Sequence, residues 1–332
     1  MTTKEGRVNI LKNGETLLRE LITLFNGKRN PIRNFSAKEL KTATSNYDMG
    51  NVIIIDDSYR LYKGFRKDGP ISVMKYEDNT SIEQANKESI NCIVFASQMG
   101  HKNILKLIGC CLETQTPILV FEYVQHYTYA NLIYRPLEPQ FKPLPLTHRL
   151  KIAMEVANAV AYLHFGFSRP IVSRTYKPGY IVFNDQHVAK MFDFSWSVSI
   201  PEGETHIEIA VQGLLEYIAP EYLKKGILNE KTDVYGFGCF LIELLTGNGI
   251  SNILQAEPDY DLILEKIMKK CIEDGYNKMV DPTILGEEPY SGKDLQLQAA
   301  TQLAVKCVSE SAEERPTMID AAKQLRQMYR LS

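Results

Sequence analysis

The chain has 332 residues, of which 44% are hydrophobic and 23% charged, and its formal net charge is −2. These values suit a globular chain of one large domain or two lobes, and the balanced charge argues against a nucleic-acid or membrane-surface role. With no run of about 18 apolar residues, no signal-peptide core after Met1 and Thr at position 2, membrane insertion, secretion and N-myristoylation are not expected.

Taken in order, residues 9–25 carry Leu17, Leu18, Leu21, Ile22, Leu24 and Phe25 at helical spacing, with Asn13 as the expected N-cap and Gly27 as the stop. The apolar face of this helix either packs on its own domain, the preferred reading, or binds a partner. After a basic linker, Ser36-Ala37-Lys38-Glu39 has the spacing of a capping box. Val52 to Tyr76 alternates β-branched and polar residues as a strand, turn and strand would. A helix is predicted over Ile82 to Met99, and two buried antiparallel strands over Leu105 to Val124. Thr147 is the expected cap of a helix reaching His164, whose buried face is Ile152, Val156, Val160 and Leu163. Val234 to Leu245 is apolar all round, as a fully buried helix requires. Two last helices are predicted to start near Lys293 and Pro316. Six cysteines (Cys92, Cys110, Cys111, Cys239, Cys271, Cys307) show no C-x-x-C spacing, so no metal site is expected. Most lie in apolar runs, which fits a reducing, intracellular setting.

Three phrases in a fixed order carry the functional signal. They are V-S-R-T-Y-K-P-G-Y over 172–180, Asp193-Phe194-Ser195, and Ala219-Pro220-Glu221. This order resembles the catalytic loop, metal-binding turn and activation-segment end of a protein kinase. The resemblance implies a bilobal α+β fold. It would have a helical extension and linker at 1–34, a β-rich lobe at 35–124 and a helical lobe at 125–332. In this reading Phe121 is the gatekeeper, Glu122-Tyr123-Val124 the hinge, and Tyr127 and Tyr129 follow it. The segment F-S-A-K-E-L-K-T-A-T-S-N-Y-D resembles the entry of plant receptor-like cytoplasmic kinases, and L-I-G-C-C-L-E resembles wall-associated kinases.

The family's chemistry is mostly missing. Its catalytic loop reads H-R-D-x-x-x-x-N, with the Asp as base and the Asn on metal. Here Ser173, Thr175 and Tyr180 stand at those three positions, and only Arg174 and Lys177 match. A threonine hydroxyl accepts no proton near pH 7, and losing a general base typically slows a reaction by about 10² to 10⁴. The glycines that let backbone approach phosphate become Ile54, Asp56 and Tyr59. Lys75, in Ser72-Val73-Met74-Lys75, reads as the phosphate-reaching lysine, and Cys92 stands where its glutamate partner is expected. Lys75 and Asp193 therefore leave a nucleotide with magnesium open, but no cofactor is required. The plainer alternative for Asp193 is a turn residue that caps backbone N–H groups.

The resemblance assigns structural roles to Arg174, Asp233, Glu221 and Arg315. Asp233 clamps the catalytic-loop backbone, Arg315 is the buried partner of Glu221, and Arg174 contacts an anion on the activation segment, residues 197–213. That segment, with Glu202, Glu204, Glu208 and Thr205, is read as a docking surface rather than a merely solvated loop. The intact V-Q-G and L-I-G-C-C-L-E runs beside a lost catalytic loop look like the ZRK pseudokinases of plants. That likeness implies a cytoplasmic immune adaptor. Its expected partners are the leucine-rich repeats of an NLR receptor and other receptor-like cytoplasmic kinases modified by pathogen effectors. Nucleic acid and direct membrane insertion are not expected, and any plasma-membrane placement comes through partners. The alternatives are a weak or unorthodox Ser/Thr kinase and a nucleotide-gated switch; a decoy phosphorylated at or near Thr205 is compatible with the adaptor reading.

Overall fold

The run of β-branched and aromatic residues between Val52 and Glu122 folds into most of a six-stranded sheet, ordered Arg33–Asn34, Leu107–Cys111, Ile118–Glu122, Gly69–Tyr76, Tyr59–Arg66 and Val52–Ile55. The computed structural model describes residues 3–28, 30–77, 80–124, 144–174, 176, 178–255, 264–273, 275 and 279–330. The chain divides into two compact units, residues 1–128 with 181–197, and residues 129–180 with 198–332.

In the first unit the strands are β1 (Arg33–Asn34), β2 (Val52–Ile55), β3 (Tyr59–Arg66), β4 (Gly69–Tyr76), β5 (Leu107–Cys111) and β6 (Ile118–Glu122). All neighbours are antiparallel except β1, which runs parallel to β5. Gly109 makes that last pairing possible, since a Cβ there would collide with the Arg33 carbonyl and the Phe35 ring. One sheet face is covered by α2 (Ala37–Ala43), whose Leu40 and Ala43 pack together with the preceding Phe35 onto Tyr62, Ile71, Val73, Cys111, Ile118 and Val120. Ser36 caps α2 by accepting from the Glu39 N–H at 3.2 Å. The Glu39 carboxylate turns instead to Arg33 and Arg66. Helix α3 (Ile82–Ala96) is capped by Ser81. The short hairpin β8 (Ile181–Phe183) and β9 (Ala189–Met191) belongs to the same unit. It is tied in by Leu105 N–H to the Met191 carbonyl and by a 2.8 Å ion pair between Lys190 and Glu122.

Helix α1 (Lys4–Phe25) starts earlier than its apolar periodicity indicates. Thr3 is its N-cap, accepting from Gly6 N–H, so Asn13 is not a cap. Asn13 is buried in mid-helix and its amide donates to the carbonyls of Leu112 and Thr114. A long-range pairing has overridden the local capping preference of asparagine. Asn26 and Gly27, both with positive φ, close the helix by donating to the Ile22 and Leu21 carbonyls. Leu17 and Leu21 are buried and Phe25 meets Phe95 of α3 edge-on at 5.7 Å. This face of α1 packs on its own unit.

The second unit is built on helices α4 (Leu146–Phe165), α5 (Pro220–Lys225), α6 (Glu230–Thr246), α7 (Ile250–Gln255), α8 (Leu264–Glu273), α9 (Pro282–Leu285), α10 (Lys293–Cys307) and α11 (Met318–Tyr329). Helix α6 is central and buried from Thr232 to Thr246, as its all-round apolar sequence requires. Helix α4 packs on α6 and α11, burying Ile152, Val156, Val160 and Leu163. Two predicted starts move. Thr147 lies inside α4, whose cap position is Pro145, and the Leu146 N–H is satisfied by the Glu287 carboxylate at 2.8 Å. Pro316 precedes α11, which Thr317 caps through the Asp320 N–H.

Two short ribbons hold the activation segment in this unit. Strand β10 (Val198–Ser199) pairs with β7 (Ile171–Val172), and β11 (Ile207–Glu208) pairs with β12 (Ile227–Leu228). Between them, Pro201 to Glu204 forms a tight turn with Gly203 at φ +86°. Beneath, Val172, Ile200, Tyr222 and Leu228 form a small apolar core. Among the described residues no helix is long and apolar enough to cross a membrane. Cys92, Cys110, Cys111, Cys239 and Cys307 are buried free thiols.

Candidate functional site: a closed metal position and a clamped loop

Within the first unit, the feature that decides function is where Tyr59 goes. The hairpin joining β2 to β3 is tight. Asp56 N–H donates to the Tyr59 carbonyl at 2.9 Å, and Ser58 N–H to the Asp56 carboxylate at 3.1 Å. Amides that a glycine loop would aim at phosphate are used inside the turn. Tyr59 pairs with Tyr76 across the β3–β4 ladder, so both rings lie on the same face. Tyr59 is buried, and its hydroxyl donates to Asp193 Oδ2 at 3.0 Å.

Asp193 Oδ1 accepts from the Ser195 N–H at 2.9 Å, the turn-capping arrangement. The Ser195 hydroxyl pairs with Tyr76 Oη at 2.9 Å. Asn91 of α3 donates through Nδ2 to the carbonyls of Phe194, Ser195 and Ser197, fastening the whole turn to the helix. Behind Asp193 the rings of Phe121, Phe192, Tyr59 and Tyr76 pack edge to face in sequence. Glycine would let this turn flip; the Ser195 hydroxyl adds a contact to Tyr76 that glycine cannot make.

Lys75 requires a correction. Alternation along β4 puts Ile71, Val73 and Lys75 on the face covered by α2, and Ser72, Met74 and Tyr76 on the face of Asp193. The Lys75 ammonium lies 5.6 Å from the centre of the Tyr47 ring and reaches the Tyr76 carbonyl at 3.4 Å. Met74, fully buried, takes the position that a phosphate-reaching lysine would need. A one-residue slip in register turns every side chain to the other face, and the lysine alone does not fix the register. Ser72 does: its hydroxyl accepts from the hinge N–H of Val124 at 3.2 Å.

The α3 positions are equally unlike a charge-neutralised phosphate site. Cys92 is buried, with its sulfur 4.0 Å from the Phe192 carbonyl oxygen. Glu88, one turn earlier, is buried and accepts from Gln84 Nε2 at 2.6 Å. Burial first, with Asp193 and Asp56 adding to it, raises the Glu88 carboxyl above its ordinary range. Burial also raises Asp193, and the carboxylate of Asp56 pushes the same way. Magnesium takes hard oxygen donors carrying negative charge. Here the Asp193 oxygens are hydrogen-bonded within the protein, and its environment disfavours the charged form. The residues do not fit a magnesium-bound nucleotide.

A raised carboxyl pKa has a thermodynamic signature. The folded state holds a proton that the unfolded chain has released, so stability falls as pH rises from the ordinary carboxyl range, about 4, through the raised value. Asp193→Asn removes this contribution. Relative to the wild type, its Tm is expected to rise as pH goes from about 4 to about 8. Thermal melts of both proteins across that range check this. A difference in Tm between the two proteins that does not change with pH would contradict it.

In the second unit, Asp233 organises the catalytic loop. Its carboxylate is fully buried and accepts the backbone N–H groups of Ser173 and Arg174 at 2.8 and 2.9 Å. His164 Nε2 lies 3.0 Å from the same carboxylate. Arg174 is held at φ +62°, a conformation disfavoured for a residue with a side chain. Its guanidinium donates to the Tyr222 hydroxyl at 3.0 Å and to Gln212 Oε1 at 3.3 Å. Through Gln212, Arg174 is in contact with the activation segment. Tyr222 completes the tie by donating to the Ala210 carbonyl and accepting the Gln212 N–H. The buried ring of Tyr176 packs on α6 at Gly236, where a Cβ would approach it to 2.5 Å. Arg315 is buried and grips Glu221 with two parallel bonds of 2.7 and 2.8 Å. Tyr180 ends a single 3-10 turn, Pro178–Tyr180. Thr175, Lys177, Tyr127 and Tyr129 lie outside the described residues.

This scaffold defines the class. The model of the protein kinase domain matches residues 59–328, and the chain belongs to that family. More particularly, it is similar to the ZRK proteins of Arabidopsis thaliana. It is 36% identical to the serine/threonine-protein kinase ZRK1, over 96% of this chain and 91% of ZRK1. It is 36% identical to the non-functional pseudokinase ZRK2, over 97% of this chain and 90% of ZRK2. Identity to the non-functional pseudokinase ZED1 is 35%, over 97% of this chain and 96% of ZED1.

Proposed function

We propose that this chain is a catalytically inactive kinase-fold adaptor. The observation that carries the inactive part is the Tyr59–Asp193 hydrogen bond, with Met74 at the phosphate-lysine position. Phosphoryl transfer relies on positioning and on charge neutralisation by metal, and this site offers neither. The names of ZRK2 and ZED1 support the same reading. The adaptor part rests on the likeness to the ZRK group. In that reading the chain works in the plant cytoplasm, linking an NLR receptor to effector-modified receptor-like cytoplasmic kinases, with the activation segment as a docking surface. That segment is folded and pinned at both ends, with an acidic exposed turn, which suits recognition.

The name of ZRK1 favours the rival reading, a weak Ser/Thr kinase. Incubation of the purified chain with labelled ATP and magnesium or manganese separates the two. The expected result is no transfer above that of an Asp193→Ala control. Robust transfer that this substitution abolishes would sink the proposal.

A further inference from the structure

Helix α1 carries a second apolar stripe that nothing in its own unit covers. Val8, Leu11, Leu18 and Ile22 are 59, 74, 56 and 56% exposed. Together with Glu15 they recur at alternating spacings of three and four, the a and d positions of a heptad. At about 100° per residue, this stripe lies roughly 150° from the buried one formed by Gly6, Asn13, Leu17 and Leu21. The helix is therefore apolar on two faces, one of them already used for packing on its own unit.

Width and charge identify what the second face fits. A strict a/d stripe is the narrow seam of helix-on-helix packing, narrower than the face of a helix resting on a broad surface. Glu15 sits at the middle of the seam with its carboxylate exposed, which disfavours insertion into a lipid surface. Arg7 lies along one edge of the seam, with Lys12 and Arg19 along the other, and Arg19 is 2.8 Å from Glu15. Two copies of α1 would bring these basic edges together, so a second copy of this chain is disfavoured. We propose that α1 is a docking helix for an amphipathic partner helix. That partner carries an apolar a/d seam, acidic residues at the flanking e and g positions, and a single lysine or arginine facing Glu15.

The test uses the full chain and two synthetic helical peptides of about three heptads, both with Leu and Ile at a and d. One has Glu at e and g with a central Lys in the seam; the other has the charges reversed. Fluorescence anisotropy is expected to show the acidic-flanked peptide binding at least tenfold tighter. Leu11→Glu and Leu18→Glu should each weaken it at least tenfold, while Leu295→Glu, an exposed leucine on α10, leaves it unchanged. Lys12→Glu with Arg19→Glu should shift preference towards the basic-flanked peptide, and this holds even if the leucine variants disturb α1. The proposal is overturned by absence of binding, by equal affinity for the two peptides, or by indifference to the seam variants. Two other results overturn it as well: self-association of the chain that Leu11→Glu abolishes, or seam-dependent binding to phosphatidylserine vesicles without peptide discrimination.

Discussion

Replacing Arg315 by alanine is expected to lower the unfolding free energy by about 3–5 kcal/mol, the cost of stripping one partner from a buried ion pair. Arg315 holds Glu221 with two parallel bonds and also donates to the carbonyls of Ser309 and Lys231, while its guanidinium lies 5.1 Å from the centre of the Tyr235 ring. Truncation leaves a carboxylate that is mostly enclosed and several carbonyls without this donor. Arg315→Lys should recover little, because an ammonium cannot reproduce the planar fork. Urea unfolding of the three proteins checks this, and a loss under about 1 kcal/mol for the alanine variant would show that the pair is dispensable.

The second large effect is expected at Asp233. Its carboxylate satisfies two backbone N–H groups of the catalytic loop and faces His164. In Asp233→Ala those buried donors lose their acceptor, at about 1–3 kcal/mol each. Arg174 also loses the contact that stabilises its left-handed backbone. A destabilisation of about 3–5 kcal/mol is expected, with increased hydrogen exchange at the amides of Ser173 and Arg174. Asp233→Asn keeps one acceptor oxygen and should lose less. Unchanged exchange in Asp233→Ala would mean that the loop is held by its apolar packing alone.

The intact scaffold and the altered site obey different rules. Asp233, Glu221 and Arg315 keep long-range contacts whose loss is expected to destabilise the second unit. Tyr59 is hydrogen-bonded to Asp193, Ser195 to Asp193 and Tyr76, and Met74 and Cys92 are fully buried. Such a site can be stable because it no longer has to leave room for phosphate or to tolerate an unpaired charge.

Much of this is legible in the residues. Alternation over Val52–Tyr76 specifies strands through its period of two, and the apolar run of Val234–Leu245 specifies a buried helix because it is too long for an ordinary strand. The loss of glycine at Tyr59 is legible too, but its destination is not. The Tyr59–Asp193 bond spans 134 residues, and nothing local to Tyr59 aims its hydroxyl. Lys75 misleads because its type matches a motif while its register does not; counting from Val73, whose side chain belongs under α2, turns it outward. Asn13 misleads for the opposite reason, a sound local preference overridden by the turn at Leu112–Thr114. Tyr76, Asn91 and Phe192 lack any motif of their own, and only tertiary packing gives them a role.

The central claim is that Tyr59 closes the metal position at Asp193, and nucleotide titration tests it most directly. A ligand that binds only the native state raises stability by RT ln(1 + [L]/Kd), about 2.7 kcal/mol at a hundredfold excess over Kd. Thermal melts of the wild-type chain with up to millimolar magnesium-ATP are predicted to show no shift in Tm. A saturable rise in Tm that needs magnesium and disappears in Asp193→Asn would contradict the account.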